Sequence, residues 1–340
     1  MSTEYSIPVT TATSFPFFFS TSKARRPASD ANLRLFGFSV PAAASLKSTG
    51  ARNQLHKAVT SKLGVLNSSL RMDVTQQTGG ATPGDDVEQR KISLQNKYGE
   101  KLVGILHDTG SKDLVILCHG FRSKKEHYIM VNIATGLEKE GISAFRFDFS
   151  GNGESEGSFT YGHYHREADD LYAVVEHFSS LGRNVIAVVG HSKGGDVVLL
   201  YASKYHNVHK VVNLSGRFDL HKGIEERLGE DFLDQVNKDG FIDVMQNNEV
   251  IYRVTKESLM DRLETDMHEA CMAIDKSCRV LTVHGSADEV IPVEDGKEFA
   301  KIIPNHRLHI IDGADHCYSQ NQAELVSVVV DFIKAGHLQD

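Results

Sequence analysis

The sequence predicts an α/β architecture: a mostly parallel β-sheet, helices on both of its faces, and an antiparallel hairpin at its start. Three observations lead there. Leu114 to Cys118 and Val185 to Val189 are continuous apolar runs of strand length, the signature of strands buried on both faces. Such runs alternate with helix-periodic segments, the order that builds a parallel sheet. The 340 residues are 40% hydrophobic, enough for a substantial core.

The elements follow in order. Lys91 to Gln95 and Leu102 to Leu106 flank the turn residues Asn96-Lys97-Tyr98-Gly99 and read as the hairpin. After the strand Leu114 to Cys118, a helix from Tyr128 to Lys139 carries Ile129, Ile133 and Leu137 on one face. Ile142 to Phe147 is the next strand. His165 to Ser179 is a helix with Leu171, Val174, Val175 and Phe178 inward. Val185 to Val189 is a buried strand, Val197 to Tyr201 lie on a helix, and Val208 to Leu214 is a strand. Arg279 to Val283 and Arg307 to Ile311 are later strands, each followed by a helix.

Residues 217–268 interrupt the alternation. They read as one helix (Ile224 to Val236), two short strands (Phe241 to Met245, Val250 to Val254) around Gln246-Asn247-Asn248-Glu249, and a helix capped by Thr255. This insertion on the loop side of the sheet is expected to form a cap over the site. Its residues Phe232, Phe241, Met245 and Tyr252 can either face the sheet or form the insertion's own core.

The amino-terminal segment differs in chemistry. Residues 1–71 hold 19 Ser/Thr and nine Lys/Arg against two acids, Glu4 and Asp30, a surplus of seven positive charges. The net charge of the whole chain is −8, so residues 72–340 carry −15. The leading segment has the composition of an organelle transit peptide. A plastid is the expected destination, with a mitochondrion or the cytoplasm as alternatives. A disordered extension, or an upstream start with Met72 as a second one, is the plainer reading. Residues 72–88 are polar and Gly-rich and read as a linker. The acidic body repels phosphates, which disfavours nucleic acid as a partner. No apolar run approaches the ~20 residues of a membrane-spanning helix, so no membrane span is expected.

Cys118, Cys271, Cys278 and Cys317 match no zinc or redox spacing, and a reducing compartment is expected. Gly162-His163-Tyr164-His165 is the densest of the histidine clusters, but no acidic or cysteine ligands accompany it, and no metal is expected there.

The chemistry concentrates at strand ends. Gly190-His191-Ser192-Lys193-Gly194-Gly195 follows a buried strand and opens a helix. A serine on this sharp turn presents Oγ at the carboxyl edge of the sheet, and the glycines let strand and helix approach. His119-Gly120-Phe121 follows the strand Leu114 to Cys118; the backbone N–H groups of Phe121 and Lys193 are the candidate oxyanion donors. Asp288 follows the strand ending at Val283, and His316 follows the strand ending at Ile311. The order Ser, acid, His is that of a strand–elbow–helix hydrolase. Ser192 is the nucleophile, His316 the base and Asp288 its orienting acid. Among rival acids, Glu289 points the other way, Asp315 cannot reach the far ring nitrogen, and Asp148 reads as a structural loop carboxylate. The Lys193 side chain is expected to pair with Asp196, three residues on in the same helix.

These motifs, together with Phe147-Asp148-Phe149-Ser150-Gly151-Asn152-Gly153-Glu154-Ser155, His284-Gly285-Ser286-Ala287-Asp288 and Ala314-Asp315-His316, resemble an α/β-hydrolase of the serine-esterase branch. More narrowly they resemble cinnamoyl/feruloyl esterase-like proteins and their plant relatives, over about Gln89 to Ala335. The resemblance implies an α/β-hydrolase core (89–216 and 269–340), a helix–hairpin–helix cap (217–268), and hydrolysis of a small carboxylic ester or thioester through an acyl-enzyme with no cofactor. It implies Ser192, Asp288 and His316 as triad and Phe121 and Lys193 as oxyanion donors. Lys193 stands where such esterases more often carry Gln, which leaves its backbone role intact. A ligand receptor or an acyltransferase on the same fold is the alternative.

Overall fold

A computed structural model describes residues 88–336. The expected leader (1–71) and nearly all of the expected linker (72–88) lie outside the described residues. Eight strands form one sheet in the order β1-β2-β4-β3-β5-β6-β9-β10. β1 (Glu88–Gln95) and β2 (Lys101–Asp108) are the antiparallel hairpin, and β2 also runs antiparallel to β4 (Ser143–Asp148). β3 (Asp113–Cys118), β4, β5 (Asn184–His191), β6 (Lys210–Leu214), β9 (Arg279–Gly285) and β10 (His306–Ile311) are mutually parallel.

Side chains alternate along each strand, so every central strand feeds two cores. Leu114, Ile116 and Cys118 of β3 enter one, with α2 (Tyr164–Ser180), α3 (Lys193–Tyr205) and α7 (Met267–Ala273). Val115 and Leu117 enter the other, with α1 (Tyr128–Lys139) and α9 (Gln322–Lys334). α8 (Val293–Ile302) adds Phe299 to the first. Both faces are dry because both are apolar, which is why the strand runs show no polar alternation in sequence.

Between β6 and β9 the chain builds a separate cluster. α4 (Glu225–Leu228), α5 (Phe232–Asp239), the antiparallel pair β7 (Phe241–Gln246) and β8 (Glu249–Thr255), and α6 (Lys256–Glu264) pack Ile224, Leu228, Phe232, Val236, Ile242, Val254 and Leu259 around Tyr161. The β7–β8 turn uses Asn247 and Asn248, both at positive φ, the geometry a tight hairpin needs. Thr255 caps α6, its Oγ1 accepting from Ser258 N at 3.1 Å. One expectation is corrected here. The single helix from Ile224 to Val236 is two short helices, because Gly229 adopts φ 96 and breaks the helical path. Among the described residues no helix is long and apolar enough to cross a membrane.

Candidate active site

Ser192 sits between β5 and α3 with φ 55 and ψ −124, outside the usual regions for a residue with a Cβ. The turn is tight enough that a Cβ on Gly190 would lie 1.9 Å from Gly194 O, and one on Gly194 would lie 2.4 Å from His119 O. Only glycine fits at either place, which is the physical content of the G-x-S-x-G spacing. Asp288 and His316 follow β9 and β10, so all three side chains meet at the carboxyl edge of the parallel strands.

His316 Nε2 lies 3.0 Å from Ser192 Oγ, and His316 Nδ1 lies 2.7 Å from Asp288 Oδ2. The other carboxylate oxygen, Oδ1, accepts the backbone N–H groups of Val290 (2.9 Å) and Ile291 (2.8 Å). Burial works against ionisation of Asp288, but hydrogen bonds from His284, His316 and Ile291 overcome it and hold the carboxyl below the ordinary aspartate value. A fixed anion is thereby aimed at Nδ1, which sets the tautomer that leaves Nε2 free to accept a proton. Tyr318 supports the histidine loop from below, its hydroxyl donating to Val283 O at 2.8 Å.

The loop facing Ser192 from the end of β3 is held by a second buried network. Asp148 accepts from Lys125 N (2.7 Å), Lys125 Nζ (2.6 Å) and Glu154 N (2.9 Å). Asp148 is thus a loop carboxylate that ties the segment after β3 to the segment after β4. His119 Nε2 accepts Phe149 N at 3.1 Å; burial pushes its pKa down to about 4, so it stays a neutral acceptor. This scaffolding holds Gly120 against Ser192 and fixes the Phe121 amide. Among the described residues the N–H groups of Phe121 and Lys193 donate to no protein partner. Such free amides at a helix start and an adjoining loop are suited to a negative oxygen.

The Lys193 side chain departs from expectation. It does not reach Asp196, whose carboxylate accepts Arg217 N at 2.8 Å. Lys193 is buried and turns toward the start of α2, where Nζ donates to Gly162 O (2.5 Å) and to Glu167 Oε1 (2.6 Å). A buried ammonium needs a buried partner, and Glu167 supplies it, whereas Asp196 takes the Arg217 amide. Burial, only partly offset by Lys193, pushes the Glu167 pKa up to about 7. The same stretch is held by the cap helix: Asp261 Oδ2 accepts His163 N (2.5 Å) and Tyr164 N (3.3 Å). Sequence reasoning missed Glu167, because nothing in the string links positions 167 and 193.

His191 was also not singled out. Its Nε2 donates to His316 O at 2.9 Å, its ring lies 5.0 Å from the His316 ring, and the His127 ring stacks 5.8 Å away on the other side. Burial, then the neighbouring His316, keeps the His191 pKa well below its ordinary value, so it holds the His316 loop as a neutral ring. Its signal was present as the variable residue of the elbow. His163 and His165 gather no ligand set, and among the described residues no three His, Cys, Asp or Glu side chains could hold a metal ion.

The family described as Hydrolase_4, serine aminopeptidase S33, matches residues 109–322. The chain belongs to this family. It is a hydrolase of the α/β-hydrolase superfamily. It is 27% identical over 226 residues to the bifunctional esterase/perhydrolase DCH of Acinetobacter calcoaceticus, covering 56% of this chain and 80% of that protein. Among solved structures it resembles Est1E of Butyrivibrio proteoclasticus with ferulic acid bound, with TM-score 0.63 and 24% identity over 71% of this chain and 97% of that one. It also resembles the esterase Pf2001 of Pyrococcus furiosus, with TM-score 0.57 and 25% identity over 75% and 96% of the two chains.

Proposed function

We propose that the protein hydrolyses a carboxylic ester or thioester through an acyl-enzyme on Ser192. The observation that carries this reading is the line of hydrogen bonds from Asp288 through both nitrogens of His316 to Ser192 Oγ, at 2.7 and 3.0 Å. Ser192 Oγ attacks the carbonyl carbon while His316 Nε2 takes its proton. The negative charge on the carbonyl oxygen is met by the N–H groups of Phe121 and Lys193. His316 returns the proton to the leaving alkoxide or thiolate, and the acyl group stays on Ser192. A water then attacks the acyl carbon as His316 takes its proton, and His316 passes that proton to the departing Ser192 Oγ, which frees the acid and restores the serine. Asp288 keeps its charge throughout and stabilises the imidazolium.

Ser192→Ala is expected to lower kcat on p-nitrophenyl esters on the order of 10⁴-fold or more while circular dichroism stays unchanged. A fluorophosphonate should label the parent at Ser192 and leave both Ser192→Ala and His316→Ala unlabelled. Labelling with a single turnover on every ester tried would instead support a receptor.

Localisation to a plastid belongs to the same proposal, and its support is the basic, Ser/Thr-rich composition of residues 1–71. A fluorescent reporter fused behind those residues should enter plastids of leaf cells. A reporter that stays in the cytosol overturns it.

A further inference from the structure

Outside the oxyanion loop lies a cavity of about 780 Å³, walled by that loop, by the segment after β4 and by cap strand β8. Its residues include Arg122, Lys124, His127, Phe159 and Tyr252. Two ring contacts connect it to the triad, since His127 stacks on His191 and His191 packs on His316. Phe121, the oxyanion residue, makes edge contacts with both Phe159 (5.3 Å) and Tyr252 (5.7 Å) in its wall.

The charges of this wall do not cancel. Arg253 is neutralised by Asp243, with contacts of 2.7 and 2.8 Å. Lys125 contacts Asp148 (2.6 Å), Glu154 (2.7 Å) and Glu126 (3.0 Å), and Lys91 also reaches Glu154, so Glu126, the cavity's acidic lining residue among the described residues, is ion-paired but only partly balanced. Arg122 and Lys124 have no carboxylate within 4 Å among the described residues, and neither has Arg227, which lies just beyond. The guanidinium of Arg122 lies 4.8 Å over the Tyr252 ring, and that of Arg227 lies 4.6 Å over the Phe121 ring. Stacking of this kind orients a guanidinium while leaving N–H donors available; Arg122 commits one of its own to Ile251 O of β8, at 3.5 Å. Arg122 also has φ 50, a conformation costly for a side-chain-bearing residue, so the loop that carries it is held in a strained form. These are unneutralised cations in a body that is otherwise strongly acidic.

The geometry points to a substrate that carries a second, ionised carboxylate beside the ester that is cleaved, held by Arg122 and Lys124 against the aromatic wall. This inference rests on the hydrolase reading above and narrows it. Two cations set against the partly balanced Glu126 leave about one positive charge and suit a monoanion, and the planar fork of arginine fits a carboxylate edge-on.

The test uses the full chain and two matched pairs of esters. p-Nitrophenyl hemiadipate against p-nitrophenyl methyl adipate places the charge on the acyl side. 4-Acetoxybenzoate against its methyl ester places it on the alcohol side. In at least one pair the anionic member should have a kcat/KM at least tenfold above its neutral partner, and the ratio should fall as KCl is raised. Arg122→Gln and Lys124→Gln should each cut that ratio several-fold, and Arg122→Lys should restore part of it. Ratios at or below one in both pairs, or ratios untouched by both substitutions, overturn the inference while hydrolysis of the neutral esters leaves the hydrolase reading standing. Calorimetric binding of the same esters to Ser192→Ala gives a readout free of catalysis. There the anionic member should bind about tenfold more tightly, and equal binding overturns the inference even where turnover is absent.

Discussion

Lys193 divides its backbone and its side chain between two places. Its backbone N–H opens α3 beside Ser192 with no protein acceptor among the described residues, while its side chain is buried in a pair with Glu167. A glutamate whose folded pKa is pushed up to about 7 by burial favours its neutral form in the folded state. It contributes stability that is fully present below the ordinary glutamate pKa and is lost as pH rises through about 7. Glu167→Gln imitates the neutral carboxyl and titrates nowhere. Its melting temperature should therefore gain on that of the parent as pH is raised from 5 to 8, and a constant difference across that range would contradict the assignment. Lys193→Met leaves Glu167 without its cation and should destabilise by about 3 kcal/mol at pH 8, read by urea unfolding, with a smaller effect at pH 5. None of this was legible in the sequence. An i, i+3 partner at Asp196 is the local guess, but in the fold Asp196 takes the Arg217 amide and Glu167, distant in sequence, takes Lys193. Ser192, Asp288 and His316 were easier to read, because each follows a strand and local sequence is what marks a strand end.

At the scale of elements, the insertion separates residues that sequence alone had grouped. Phe232 is buried in the cap's own core, whereas Met245 is half exposed on the hairpin, at 50%. Phe241 lies under the Arg253 guanidinium at 3.7 Å, and only Tyr252 turns to Phe121. Phe232→Ala should cost about 3 kcal/mol or more through the cavity it leaves and should change ester ranking little. Tyr252→Ala should do the reverse, altering the relative kcat/KM of aromatic and aliphatic esters with a smaller loss of melting temperature. Equal effects of the two on ranking would show that the cap does not discriminate. The strand and helix succession of the insertion could be read from periodicity. The direction each aromatic faces could not, because a short amphipathic hairpin with few residues per strand leaves its inward face to the partner it packs on.

For the molecule as a whole, the parallel sheet was legible because its central strands are apolar on both faces, as the two cores require. The split of the cap's first helix was not, since Gly229 inside a helical pattern reads equally as a tolerated residue or a stop. The elbow joins fold and function in a way that bears on stability engineering. Ser192 occupies φ 55 and ψ −124, a backbone state that glycine adopts at far lower cost. Ser192→Gly should therefore raise the melting temperature by a few degrees while abolishing turnover, and a lower melting temperature would contradict that. Selection for thermal tolerance alone then favours losing Ser192, so a screen on this scaffold has to score activity and stability in the same assay.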